Sequence, residues 1–351
     1  LGLEWDRCEK QSDRIPLYES AAQQLRDADC LYECFETPEE LEFKRRKQLS
    51  MGRPPVYDRS ALKLSVEEKN CLREKRPSYW RFKLNHERVV WQDAILGSVS
   101  VDASSVSDPV LIRADGQFLY TLASVVDDVD FGINFVIRGS DHVTNTATQI
   151  QLLQKFKSAL PSFAHHSLLV GPSGEPLSKR MKNLSLRELK EMGLEPEAIF
   201  IFMSYLGGKN TLISESSVGE ILENFDLNHF GAAPTKFNQN DLNLFSQKFL
   251  TKLPFDQVKK QLSDLNIPKH LQEEFWDMAK ENISRRSDLS DLWRLCTDGV
   301  EPEISPQDRD FISTCMRLIP SAPRNRNSWS VWTNTIAVET SRSGKNLFLP
   351  L

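Results

Sequence analysis

No run of this 351-residue chain approaches the ~20 consecutive apolar residues that a membrane-spanning helix needs, and its first residues do not form a signal peptide. The sequence also has little cysteine. Its six thiols (Cys8, Cys30, Cys34, Cys71, Cys296 and Cys315) are scattered without a CxxC pair, which speaks against a disulfide framework and against a four-thiolate zinc centre. Internal repeats and low-complexity tracts are missing, and there is no excess of positive charge. A net charge of −5 argues against indiscriminate binding of polyanions but leaves room for a local basic surface. With 40% hydrophobic and 26% charged residues, the chain has the composition of a soluble, cytoplasmic protein of two or three domains.

What is present centres on Gly171-Pro172-Ser173-Gly174-Glu175-Pro176-Leu177-Ser178-Lys179-Arg180. A turn of Gly, Pro and Ser delivers a cationic tip directly before a helix, an arrangement suited to a ligand with several negative charges, phosphate above all. Taken alone it also fits a solvated surface loop. Upstream lie Tyr120-Thr121-Leu122-Ala123-Ser124-Val125-Val126-Asp127-Asp128, Ile133 to His142 with Arg138-Gly139-Ser140-Asp141, and Phe163-Ala164-His165. In this order the runs resemble the second half of the catalytic domain of a class I aminoacyl-tRNA synthetase, specifically a bacterial glutamyl-tRNA synthetase. The resemblance extends over nearly the whole chain. It implies that the opening strand and His-containing ATP signature of that family precede Leu1, that this stretch by itself is inactive, and that the relatives also run somewhat further at the C-terminus.

Read in order, residues 1–10 suggest a strand end and loop, and Gln11–Asp29 a helix. Thr37-Pro38-Glu39-Glu40 is a helix start, with Thr as cap, Pro in the first turn and Glu three residues after the cap. Trp80, Phe82 and Leu84 alternate with Arg81, Lys83 and Asn85 as in a half-buried strand. The near-continuous apolar runs Leu119–Val126 and Ile133–Ile137 read as strands buried on both faces, which places Asp127, Asp128, Arg138, Asp141 and His142 at strand ends, where open α/β sheets bind ligands. A helix over 143–157 and a strand over Ala164–Val170 follow. Beyond Arg180 the pattern is helical, with Ser185, Glu188 and Gly193 marking one short helix and Glu197–Leu206 another. Further helices fall near Phe255–Leu265, Lys269–Glu281, Ser287–Leu295, Pro306–Ile319 and Ser328–Thr340. The expected class is α/β: a partial Rossmann-type catalytic domain (1–10 and 119–180) with an inserted α+β acceptor-binding domain (11–118), a helical connector (181–247) and an all-helical anticodon-binding domain (248–351). Ala232-Ala233-Pro234-Thr235-Lys236-Phe237-Asn238 resembles a family motif within the connector.

The resemblance implies ATP- and Mg2+-dependent activation of glutamate followed by transfer to tRNA(Glu), and leaves open whether tRNA(Gln) is charged as well. Lys179 matches the second lysine of the family's Lys-Met-Ser-Lys-Ser-type loop and is expected to meet the ATP phosphates, flanked by Ser178 and Arg180, with Leu177 beside the nucleotide; Pro176 replaces the first lysine. Arg138 is expected to hold the glutamate carboxylate through its planar fork, or else to serve a structural ion pair with Asp127, Asp128 or Asp141. Tyr120 matches a substrate-pocket tyrosine, which is otherwise a core aromatic, and Ser124 a more variable pocket position. His142, His165 and His166 read as packing residues, since an already ionised carboxylate nucleophile needs no general base. For tRNA, the basic run Lys44-Arg45-Arg46-Lys47, or Arg73, Lys75 and Arg76, would serve the acceptor end, and Arg324, Arg326 and Trp329 the anticodon. Several relatives bind zinc in the insertion, but Glu36 stands where a second cysteine would follow Cys34, so no structural zinc is expected. A monomer is the family default. A non-catalytic tRNA-binding body is the alternative reading, and a nucleoside-modifying ligase is disfavoured by the helical region after residue 248.

Overall fold

In the computed structural model the described residues are 2–175, 177, 185–208, 217–299, 305–321 and 326–341. Residues 2–10 carry no strand, contrary to expectation. Helix α1 (Ile15–Asp27) buries Tyr18, Ala21, Ala22 and Leu25, one apolar stripe at helical spacing. It leads into β1 (Leu31–Cys34). Helix α2 (Pro38–Ser50) starts as anticipated: the Thr37 hydroxyl accepts from the Glu40 amide, and the Glu40 side chain accepts from the Thr37 amide. The same box, with Ser65 and Glu68, opens α3 (Val66–Lys75).

Strand β2 (Tyr79–Phe82) lies between β1 and β5 (Val110–Ile112) in an antiparallel three-stranded sheet. The expected alternation holds at Lys83 and Asn85, which are exposed, and at Phe82 and Leu84, which are buried, but not at Arg81. Arg81 is buried, donating to the Asp108 carbonyl with its guanidinium 4.3 Å from the Tyr57 ring centroid, so the polar face is covered at this one position. The hairpin β3 (Arg88–Asp93) and β4 (Gly97–Asp102) turns at Gly97, whose φ of +73° suits glycine.

The largest departure from the sequence reading is at Tyr120. The run 119–126 is not a strand but the front of α4 (Tyr120–Phe131). Leu122, Val125, Val126 and Val129 recur at helical spacing, and Gly132 ends the helix in the left-handed conformation at φ +66°. Two adjacent valines mimic a strand, but burial of Leu122, Ala123 and Val125 against α1 and a second helix decides for helix. That second helix, α5 (Val143–Lys155), follows β6 (Phe135–Gly139) and precedes β7 (Ser162–His166). The four-stranded sheet has the order β4-β3-β7-β6, with β3, β7 and β6 parallel. As an edge strand, β6 leaves Phe135 and Ile137 exposed instead of burying both faces. The strand expected over 164–170 divides into β7 and the short β8 (Leu169–Val170).

One core joins Ala21, Leu25, Leu31, Phe82 and Leu111 to Leu122, Val125 and Leu152, and the β3–β4 hairpin shares a sheet with β6 and β7. The segments before and after residue 118 are thus packed as one body. Helices α6 (Leu186–Glu191), α7 (Pro196–Tyr205), α8 (Val218–Glu223) and α9 (Gln239–Lys252) form a second core around Phe202, Phe237 and Phe245. Between α8 and α9 runs β9 (Thr235–Lys236), paired in parallel with β8. A third core around Trp276 gathers α9, α10 (Phe255–Asp264), α11 (Gln272–Ala279) and α12 (Asp288–Asp298). Helices α13 (Arg309–Arg317) and α14 (Arg326–Thr340) pack around Phe311, Cys315 and Ile336. Among the described residues no helix is long and apolar enough to cross a membrane.

Candidate active site

Arg138 leaves the C-terminal end of β6 and reaches across to α4 and α5. Its Nη1 donates to the Tyr120 hydroxyl at 3.2 Å; its Nη2 donates to Thr146 Oγ1 at 2.5 Å and Gln149 Oε1 at 2.6 Å; its Nε points to His165 Nε2 at 3.5 Å. Gln149 in turn donates through Nε2 to Ser124 Oγ at 2.8 Å, which fixes the orientation of its amide. Tyr120, Ser124 and Arg138, selected separately from the sequence, therefore meet in one network. Tyr120 and Ser124 do so because they stand one turn apart on α4, a relation hidden by a strand reading of that segment.

The geometry changes how Arg138 can act. No carboxylate pairs with it among the described residues, so the structural ion pair considered from the sequence is replaced by neutral acceptors. Asp127 instead faces the other way, accepting from Arg14, Tyr18 and Gln11. A guanidinium has five N–H groups, and four of them are directed at protein acceptors. The free N–H is on Nη1, beside the Tyr120 hydroxyl, whose own proton is also available because its oxygen accepts from Arg138. Two donors thus converge at the half-exposed mouth of the site, one from Arg138 and one from Tyr120, in place of the guanidinium fork anticipated from sequence. Such a pair suits one carboxylate. Asp128, on the same helix and near enough to feel the Arg138 charge, has its carboxyl pushed up to about 6, chiefly by burial, with Arg138 opposing and Asp127 reinforcing the shift.

Thr146, Gln149 and Asp93 were missed in the sequence. Helix α5 buries every residue from Thr146 to Leu153, but its sequence is largely Thr and Gln, so nothing in the spacing set Thr146 and Gln149 apart. His165, read as a packing histidine, is fully buried between Phe163 and Trp91 but is also hydrogen-bonded to Asp93 and Thr146. His142 lies edge-on to Tyr120 at 5.8 Å.

Ser178, Lys179 and Arg180 lie outside the described residues, as does Arg324; Arg326 begins α14, with only its backbone described. The approach to the Ser-Lys-Arg tip is held from both sides. The Gly171 amide donates to the Glu175 carbonyl at 2.7 Å, Leu177 packs on the core of α7 and α9, and the Thr235 and Phe237 amides donate to the Leu168 and Val170 carbonyls. Trp329 is exposed on α14 and stacks edge-on against Trp332 at 5.3 Å.

The basic run on α2 is less basic in space than in sequence. Lys44 turns inward to Ser60 Oγ at 2.6 Å, Asp58 and Glu36, while Arg45 and Arg46 both approach Glu42. Arg73 is held by Glu33 and Arg76 by Glu40. Lys47 faces a cleft of about 610 Å³ whose walls include Phe43, Leu64 and Leu72. Burial pushes the Cys34 thiol up to about 12, so it is not a ready metal ligand; Cys30 is buried in another cluster and Cys71 is exposed. Among the described residues no group of three or more His, Cys, Asp or Glu is placed to hold a metal ion.

A mixed sheet with parallel strands, an arginine at a strand end held by neutral acceptors and a clamped loop beyond it accompany an α/β fold of the class I synthetase type. The family model for the catalytic domain of tRNA synthetases class I (E and Q) matches residues 1–244, and the chain belongs to that family. It is 52% identical to glutamate–tRNA ligase 1 of Ruegeria pomeroyi and 53% identical to glutamate–tRNA ligase 2 of Cereibacter sphaeroides, in each case over 100% of this chain and 80% of the relative. Among solved structures, the glutamate tRNA ligase of Elizabethkingia meningosepticum in complex with its amino acid superposes with a TM-score of 0.73 at 24% identity, covering 97% of this chain and 76% of that one. The glutamate-tRNA synthetase of Elizabethkingia anophelis gives 0.72 over 95% of this chain and 75% of that one. At this identity these two likenesses speak to the fold alone.

Proposed function

We propose that this chain serves a glutamate–tRNA ligase: it activates glutamate with ATP to glutamyl-adenylate and transfers the glutamyl group to the terminal adenosine of tRNA(Glu) in cytoplasmic protein synthesis. The observation that carries this is the convergence of the Arg138 and Tyr120 donors on one point. Glutamate offers two carboxylates, and in activation the α-carboxylate must stay free to attack the α-phosphorus of ATP. The fixed donors therefore hold the side-chain carboxylate, with Gln149 and Ser124 keeping Arg138 in register. The attacking carboxylate is ionised at neutral pH and needs no base. Charge builds on the departing pyrophosphate, and Lys179, Ser178 and Arg180 are the residues assigned to it, with Leu177 anchoring their loop. Mg2+ is assigned to the nucleotide phosphates, as these ions usually keep several waters and few protein ligands.

In the same reading, residues 11–118 approach the acceptor end through Lys47 and its neighbours, 181–247 connect, and 248–351 meet the anticodon with Trp329, Arg324 and Arg326, an exposed aromatic and cations of the kind that stack and read unpaired bases. The first of these regions shares its core with 119–156 and would move with it. A monomeric state belongs to this proposal as well, and tRNA(Gln) is a second substrate to be tried beside tRNA(Glu). The alternative, a tRNA-binding body without catalysis, predicts retention of tRNA with no chemistry. Glutamate- and tRNA-dependent exchange of pyrophosphate into ATP, run on this chain and on a version carrying the family's opening strand and ATP signature before Leu1, separates the two: exchange in the extended version that disappears in Lys179→Ala supports the ligase, whereas tRNA retained on a gel with no exchange in either version overturns it.

A further inference from the structure

We propose that Asp93 and His165 act as a positioning relay that locks Arg138 in its carboxylate-binding pose, and so set the affinity for the amino acid from inside the sheet. This rests on the ligase reading above. Asp93 ends β3 and is nearly fully buried; its Oδ1 accepts from the amides of Ile95, Leu96 and His165 at 3.0–3.1 Å, which leaves the carboxylate no freedom to turn. Its Oδ2 accepts from His165 Nδ1. That bond places the imidazole proton on Nδ1 and turns the Nε2 lone pair toward Arg138 Nε at 3.5 Å and the Thr146 hydroxyl at 2.8 Å. Phe163 stacks on the ring and Trp91 tilts against it, so the imidazole cannot swing away.

The consequence is a chain of hydrogen bonds that ends at Arg138. Asp93 selects the His165 tautomer; the tautomer makes His165 an acceptor; and an acceptor there completes the set (His165, Thr146, Gln149) that occupies three N–H groups of Arg138 and leaves the Nη1 end for substrate. The charged groups facing His165 are Asp93 from β3 and Arg138 from β6, and the contacts from α5 are neutral. In the opposite tautomer the Nε2 proton would go to Thr146 Oγ1, whose own proton turns to the His142 carbonyl at 3.2 Å, and the Arg138 Nε proton would lose its acceptor. Neither residue touches substrate; both act through Arg138.

The decisive variant is Asp93→Asn, which keeps the shape but presents an amide N–H to Nδ1 and so inverts the tautomer. In two-dimensional 15N–1H spectra of the imidazoles, the parent is expected to carry its His165 proton on Nδ1 and the variant on Nε2. In pyrophosphate exchange the variant's KM for glutamate rises by ~10-fold or more, while its KM for ATP stays within about two-fold, the range usual for disturbed supporting residues. As a second pair, His165→Gln keeps a carbonyl acceptor within reach of Arg138 and retains most of the glutamate affinity, whereas His165→Leu does not. An inverted tautomer with unchanged glutamate KM, or equal losses in His165→Gln and His165→Leu, would overturn the relay and leave a packing role. These kinetics are read in the N-terminally extended chain, and no exchange in that extended parent would instead remove the ligase reading, whatever the spectra show.

Discussion

Two cationic places in this molecule look alike in sequence and differ in kind. Arg138 is a single guanidinium whose acceptors on α4, α5 and β7 are all neutral, so its full charge is kept and aimed outward. The Lys44–Lys47 run holds four cations, yet three of them approach Glu36, Asp58 or Glu42, leaving Lys47 as the one with no acidic partner among the described residues. Counting charges ranks the run first. Asking what each cation is bonded to reverses the order, because a charge matched by a carboxylate offers a polyanion little, whereas one held by dipoles offers a ligand nearly everything.

The comparison breaks most visibly at Arg138 itself. Arg138→Lys removes the rigid fork: an ammonium has three donors for four acceptors and sits too short to serve Tyr120 and Thr146 together. We expect kcat/KM for glutamate to fall by ~100-fold or more, on the order of 3 kcal/mol, with KM for ATP nearly unchanged. An equal loss in both substrates would mean that the residue only supports the fold. In the other region the corresponding change is Glu36→Gln. Burial works to raise the Glu36 pKa, but hydrogen bonds from Ser60 and Tyr57 and the charge of Lys44 hold it below the usual value. Neutralising it leaves Lys44 with Asp58 as its remaining acidic partner and removes the charged acceptor of Ser60 and Tyr57, and unfolding free energy should drop by ~2 kcal/mol in denaturant titration, with glutamate kinetics untouched.

Next in size is Asp128→Asn. The carboxyl pKa stands at about 6 in the folded chain against a usual 3.8. An acid whose folded pKa is raised is favoured by folding in its protonated form, so its contribution to stability is complete below about pH 4 and is lost as pH climbs to about 6. The amide variant never pays that cost of ionisation. It should exceed the parent in stability at pH 8 by ~1–2 kcal/mol after allowing for partial solvent exposure, and the difference should vanish by pH 4. A constant difference across that range would exclude ionisation of Asp128 as its cause.

Local grammar made parts of this molecule readable in advance. Thr37 with Glu40, and Ser185 with Glu188, form reciprocal caps within four residues, and both helices begin there. The strand reading of 119–126 failed where local and tertiary preferences compete: paired valines favour a strand, and the α1 and α5 surfaces that turn the segment into a helix are distant in sequence. The binding residues show the same division. Tyr120, Ser124 and Arg138 could be found as residues, but what they do depends on partners such as Asp93, 72 positions from His165, and on a side-chain orientation that no spacing encodes. Arg81 is the converse case, a charge assigned to a solvated strand face and found buried against the Asp108 carbonyl and two tyrosine rings.

The smallest effect is the sharpest test of the comparison. Lys47→Ala should weaken tRNA binding only about two- to three-fold, below 1 kcal/mol, and reduce the slope of log K against log salt by about 1, the mark of one released phosphate contact. Lys44→Ala, three positions away on the same helix, should leave that slope unchanged, because its ammonium is committed to Ser60, Glu36 and Asp58, and should register instead as a lower melting temperature. If both variants changed the slope equally, the inward turn of Lys44 would not survive tRNA binding. The run would then act as four interchangeable charges, and the distinction between a paired and an aimed cation would hold only for Arg138.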